Sequence, residues 1–143
     1  MKDKVFFDTN IICYAYDASE PIKRAKCKEL VESVFAGTVI GVVSNQVLVE
    51  TFNAFTRKLG VHIDIAQIII KSLIVSENWL KINYTYNTVE RALINSDALK
   101  IPFLDMLIAE TMKENGINRI VTEDHSFSRI PWLVTDNPID NGK

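Results

Sequence analysis

Two runs of this chain, Val5-Phe6-Phe7 and Val39 to Val43, are apolar at consecutive positions rather than at every second one. A strand with one wet face alternates, whereas a strand covered by helices on both faces does not. The pattern therefore predicts an α/β domain with a mainly parallel sheet, whose crossover connections are right-handed. The first strand spans Val5 to Asp8 and the second Val39 to Val43.

The intervening segments fit that plan. From Pro21 to Phe35 the apolar residues Ile22, Ala25, Leu30, Val31, Val34 and Phe35 follow roughly helical spacing, Pro21 suits a first turn, and Gly37 ends the helix. Ser44 or Asn45 can cap a helix carrying Val47, Leu48, Glu50, Thr51, Ala54 and Phe55, and Asp64 can cap another through Ile65, Ile68, Ile69 and Leu73. Trp79 to Tyr84 reads as a third strand with alternating character, Thr85 to Leu99 as a helix, and Pro102 or Phe103 to Asn115 as a helix stopped by Gly116. Arg119 to Thr122 forms a fourth strand and Trp132 to Thr135 a fifth, with a frayed tail over 137–143. At 143 residues and 48% apolar content, residues 1–143 make one domain with one core.

Several function classes fall away. The longest apolar runs are far short of the roughly 20 residues that span a bilayer, and no basic leader with a cleavage site opens the chain, so the expected location is the cytoplasm. Cys13 and Cys27 are isolated thiols without zinc-site spacing, and both are expected to be reduced. The glycines are scattered, with no phosphate-cradling loop and no Gly-x-Ser-x-Gly elbow. A net charge of −2, from 16 basic and 18 acidic residues, does not advertise a nucleic-acid binder. Lys23, Arg24, Lys26 and Lys28, and separately Arg57 with Lys58, nevertheless form local basic clusters.

Carboxylates carry the chemistry. Asp8 follows Val5-Phe6-Phe7, Glu50 follows Val47-Leu48-Val49, Asp105 follows Ile101-Pro102-Phe103-Leu104, and Asp124 follows Ile120-Val121-Thr122-Glu123. A carboxylate beside an apolar segment resists burial unless it is hydrogen-bonded, paired or bound to a cation. In open parallel sheets ligands bind beyond the carboxyl ends of the strands, and Asp8 and Asp124 fall at that edge. Glu50 and Asp105 sit near the starts of helices on the same side, so the four can converge on a hard divalent metal through oxygen ligands. Taken singly, Asp8 could cap a helix, Asp105 could favour a helix dipole and Asp124 could stabilise a turn. Asn10 and Thr122 add neutral groups that could orient a carboxylate. Of the two histidines, His62 and His125, the second adjoins Asp124 and reads as an exposed loop residue. Without a well-placed histidine, a metal must generate the nucleophile, and hydrolysis of a phosphodiester is the natural reaction class.

These residues resemble the PIN domain, and within it the VapC-type ribonuclease toxins. Val5-Phe6-Phe7-Asp8-Thr9-Asn10 resembles the opening motif, Ser44-Asn45-Gln46-Val47-Leu48-Val49-Glu50 the second, and Phe103 to Ala109 the third, with Met106 where alanine is commoner. Thr122-Glu123-Asp124-His125-Ser126-Phe127 is similar to the fourth, in which a threonine is followed by an acid two residues on. The resemblance implies an α/β/α domain with a sheet of about five strands, and Mg²⁺ or Mn²⁺ held by Asp8, Glu50, Asp105 and Asp124. It also implies endonucleolytic cleavage of RNA, a homodimer, and a small antitoxin whose tail fills the active-site groove. Glu123 is an additional acid; the spacing favours Asp124 as the ligand.

Other readings compete. A haloacid-dehalogenase-like phosphatase also opens with an aspartate after a strand, but wants a second aspartate two residues on, where this chain has Asn10. An RNA-processing PIN nuclease without an antitoxin and a PIN-like RNA-binding module that has lost cleavage are the others.

Overall fold

The structure, a computed structural model, describes residues 3–140. In chain order it runs β1 (Lys4–Phe7), α1 (Thr9–Tyr14), α2 (Pro21–Phe35), β2 (Ile40–Ser44), α3 (Asn45–Arg57), α4 (Ile63–Val75) and β3 (Trp79–Ile82). It continues through α5 (Tyr86–Leu99), α6 (Phe103–Glu114), β4 (Arg119–Val121), a 3-10 turn (His125–Arg129) and β5 (Val134–Asp136). The five strands form one sheet in the order β3-β2-β1-β4-β5, and every pairing is parallel.

That order has one reversal. From β1 the chain steps outward to β2 and β3, then returns to place β4 on the other side of β1. The strand ends of β1 and β4 therefore flank the switch point, where a parallel sheet opens a crevice at its carboxyl edge. Phe7 pairs with Val121, and the Asp8 amide donates to the Val121 carbonyl at 3.1 Å, so the residues that follow both strands leave the sheet side by side.

The continuous apolar runs are buried as their pattern requires. Phe6, Phe7, Val42, Val43 and Ile120 are inaccessible or nearly so, and Phe55, Trp79, Met106 and Phe127 close the core around them. Gly41 matters here for its missing side chain: a Cβ would stand 2.8 Å from the Trp79 ring and from Val34. Trp79 can therefore lie against the sheet, with Phe7 edge-on at 4.9 Å. Helix α2 buries Cys27, Val31 and Val34, while Ile22 and Ala25 face solvent, so its core stripe is narrower than its composition suggested.

Some boundaries differ from expectation. Helix α4 is capped by His62, whose Nδ1 accepts from the Asp64 amide at 3.2 Å, and Asp64 sits inside the first turn rather than at the cap. The third strand stops at Ile82 because the Tyr84 amide leaves the ladder for Asn45 Oδ1 at 3.1 Å. The fifth begins at Val134, with Trp132 in the preceding turn. Of the tail, residues 137–140 make a turn that buries Pro138 and packs Ile139 on the core; residues 141–143 lie outside the described residues.

Helices α5 and α6 are joined by polar side chains. Thr88 donates to Glu114 at 2.8 Å, Arg91 pairs with Glu114, and Asn95 donates to the buried Glu110 at 2.7 Å. These bonds fix the helix whose first turn presents Asp105.

Candidate active site

Asp8 is the residue at which β1 becomes α1, an extended N-cap whose side chain is 6% exposed. One oxygen accepts from the Thr9 amide at 2.7 Å and the other from the Thr122 hydroxyl at 2.6 Å. Burial raises its pKa to about 6; the two hydrogen bonds oppose that rise, and the neighbouring charges of Glu50 and Asp124 add to it. Thr122 is also buried, and its Oγ accepts from the Asp124 amide at 2.9 Å. One hydroxyl thus locks the end of β4 to the end of β1.

Asp105 and Asp124 face each other across this edge. Asp105, third in α6, is raised to about 7 by partial burial first, then by the hydrogen bond it shares with Asp124 and by the charges of Asp124 and Asp8. The Ser126 hydroxyl donates to it at 2.8 Å and works the other way. Asp124 caps the 3-10 turn, accepting from the Ser126 amide at 2.9 Å. Burial would raise its pKa, but Ser126, the bond to Asp105 and nearby His125 outweigh it, leaving Asp124 below the ordinary value. Like charges sharing a site push the two pKa values apart, Asp105 toward its neutral form and Asp124 toward its ionised one.

Glu50 stands slightly apart. Its Oε1 accepts from the Thr9 hydroxyl at 3.0 Å and its Oε2 from Gln46 at 3.1 Å, while the same Gln46 amide donates to the Leu104 carbonyl at 3.0 Å. Asp8, Asp105 and Asp124 line a cleft of about 500 Å³ with Thr9, Asn10, Tyr14 and Lys58. Glu50 lines an adjoining hollow of about 260 Å³ with Gln46, Tyr84 and Leu104. Thr9, one residue past Asp8, links the two. Three of the four sequence-derived acids therefore share one cleft, and the fourth is joined to it through a hydroxyl.

The other candidates have definite places. Asn10 lines the cleft, and its Oδ1 accepts from the Glu123 amide at 3.4 Å, so it ties α1 to the segment carrying Asp124. Glu123 points away from the carboxylates, accepting from Tyr14 at 2.7 Å and Lys23 at 3.0 Å. Burial would raise its pKa, but those two donors outweigh it and hold Glu123 below its ordinary value. His125 is exposed. Met106 is buried beneath Asp105, filling core space without displacing the carboxyl. Thr9, Gln46 and Ser126 orient the acids and were not picked out from the sequence, although each lies within one of the four quoted segments.

Among the described residues no group of three His, Cys, Asp or Glu side chains is arranged to hold an ion as it stands. The donor set still fits a hard divalent cation. Asp8, Asp105 and Asp124 offer carboxylate oxygens to one cleft, and two of them are pushed toward neutrality by burial and neighbouring carboxylates, which a cation would relieve.

The sequence profile of the PIN domain matches residues 5–133. The chain belongs to the PIN domain family. Comparison with curated proteins finds no match. Among solved structures, this PIN domain resembles VapC20 of Mycobacterium tuberculosis, a sarcin-ricin loop cleaving toxin, with 23% identity over 90% of this chain and 96% of that one, at a TM-score of 0.67. It also resembles a chain of a toxin-antitoxin complex from Klebsiella pneumoniae, with 18% identity, coverage of 94% and 97%, and a TM-score of 0.66. A chain of VapBC2 from Rickettsia felis, bound to a promoter DNA fragment, matches at 18% identity, 94% and 98% coverage and the same TM-score of 0.66. At these identities the shared property is the fold, a five-stranded parallel α/β sheet of the PIN type. Among the described residues no helix is long and apolar enough to cross a membrane.

Proposed function

We propose that this PIN domain is a metal-dependent endoribonuclease that cuts RNA phosphodiester bonds, and that it is the toxin of a type II toxin-antitoxin pair. The observation that carries the reading is the convergence of Asp8, Asp105 and Asp124 at the switch point of the sheet. Mg²⁺ or Mn²⁺ would be held by these three, with Glu50 completing the site directly or through water. When bound, the ion neutralises phosphodiester charge and acidifies water for attack.

The chain's own groups prepare that site. Thr122 and the Thr9 amide orient the two oxygens of Asp8, the Thr9 hydroxyl and Gln46 orient Glu50, and Ser126 orients both Asp105 and Asp124. An ion held by these carboxylates would compete with the protonation of Asp105 that burial and Asp124 favour, so metal affinity should rise with pH. Membership of the PIN family and the VapC-type fold of the neighbours support a nuclease toxin. The toxin-antitoxin complexes among those neighbours support a small protein antitoxin as partner, and a homodimer and a cytoplasmic location go with the same reading.

The test is cleavage of RNA by wild type and Asp8→Asn, with and without EDTA. Wild type should cut only with metal and the variant should not; equal metal-dependent cleavage by both would overturn the assignment. Toxicity on expression, relieved by an adjacent small reading frame, separates a toxin from an RNA-processing enzyme without an antitoxin.

A further inference from the structure

The cleft holds an aromatic side chain and a cation that the carboxylate chemistry does not use. Tyr14, the last residue of α1, lines the same cleft as Asp8 and Asp124. Its hydroxyl donates to Glu123 at 2.7 Å and accepts from Lys23 at 3.3 Å, and the Lys23 ammonium stands 4.7 Å from the ring centroid. A side chain with two torsions is thereby fixed at its tip and on its ring, while Tyr14 is only half-buried and lines the cleft. Lys23 spends its charge on Glu123. Lys58, at the end of α3, is the only cationic residue on the cleft wall, is exposed, and has no ion pair among the described residues.

We propose that Tyr14 and Lys58 form a nucleotide subsite beside the carboxylates, in which the Tyr14 ring stacks on one base of single-stranded RNA and Lys58 takes a phosphate of the same strand. The proposal rests on the nuclease reading and names the part of the substrate that the cleft grips. Stacking requires a flat, pre-positioned ring and tolerates any base, because every base has a π face. Glu123 and Lys23 supply the pre-positioning. The other charged residues of the cleft wall are acidic, Asp17 and Glu20 among them, so a polyanion gains cationic contact only along the Lys58 side.

The experiment uses short single-stranded RNA oligonucleotides with one abasic site moved along the strand. Cleavage is measured with Mn²⁺, and binding is measured by fluorescence anisotropy on Asp105→Asn protein. One abasic position should weaken binding by about tenfold, and Tyr14→Leu should weaken the intact strand by as much while becoming indifferent to that abasic site. Tyr14→Phe, which keeps the ring, should stay within about threefold of the parent. Lys58→Gln should flatten the salt dependence of log Kd by about 0.7, one single-strand phosphate. The abasic scan, by cleavage with wild type and by binding to Asp105→Asn, needs no folded variant at Tyr14. Absence of any sensitive position, or equal binding by Tyr14→Leu and Tyr14→Phe, overturns the subsite. Abasic-sensitive binding without cleavage overturns the nuclease reading and leaves the subsite standing. Cleavage without abasic sensitivity does the reverse.

Discussion

Replacing Asp8 by asparagine should make the metal-free protein more stable at alkaline pH while removing its activity. Asp8 is 6% exposed and its pKa rises from 3.8 to about 6, so the folded state favours the neutral acid. At about 1.36 kcal/mol per tenfold, ionising that carboxyl costs the fold about 3 kcal/mol. A raised acid contributes stability below its unfolded pKa and loses it as pH rises through the folded value, so this cost is absent near pH 4 and complete by pH 8. Asparagine removes the charge but keeps one acceptor where the carboxylate has two, for Thr9 and Thr122. Mispairing one of those donors costs about 1–2 kcal/mol, leaving a net gain of about 1–2 kcal/mol at pH 8. For a chain of this size that is a rise in melting temperature of roughly 3–6 °C. Thermal melts of both proteins in EDTA at pH 4.5, 6 and 8 measure it. The difference should grow with pH, and Mn²⁺ should then raise the wild-type midpoint and leave the variant's unchanged. An Asp8→Asn protein that melts below wild type at pH 8 in EDTA, or by the same margin at every pH, refutes the electrostatic account of the site.

Two further perturbations test its neighbours. Ser126→Ala removes the hydroxyl that holds the Asp105 pKa down, so the acidic limb of the pH–rate profile should move alkaline by less than about one unit; an unmoved limb removes Ser126 from the site. Gly41→Ala places a Cβ 2.8 Å from the Trp79 ring and Val34, and overpacking of that kind should destabilise by about 1–3 kcal/mol in urea melts without changing cleavage by the folded fraction.

The sheet was legible because a strand covered on both faces carries an unbroken apolar run, and Val5-Phe6-Phe7 and Val39 to Val43 are too short for a helix. Its edges were less so. The end of β3 is decided by Asn45, a side chain 39 residues away that takes the Tyr84 amide, and the cap of α4 by His62, a residue type with weak capping preference. In each case a hydrogen bond made by one side chain, not a composition bias, sets the boundary.

The site divides along the same line. That Asp8 and Asp124 lie side by side at one cleft followed from their places after two strands, and the parallel order with its reversal between β1 and β4 makes the neighbourhood obligatory. That Asp105 comes within hydrogen-bond reach of Asp124 depends on how α6 is oriented by its bonds to α5, which no spacing encodes. Glu123 is the instructive residue, because its role was open to a stricter reading. Successive side chains in extended chain point to opposite sides. Thr122 reaches Asp8, and Asp124 reaches Asp105, so Glu123 between them must turn the other way, toward α1 and α2. Glu123 is thereby kept out of the carboxylate cluster and paired with Lys23. Its charge then serves to hold Tyr14 in the wall of the cleft that Asp8 and Asp124 line.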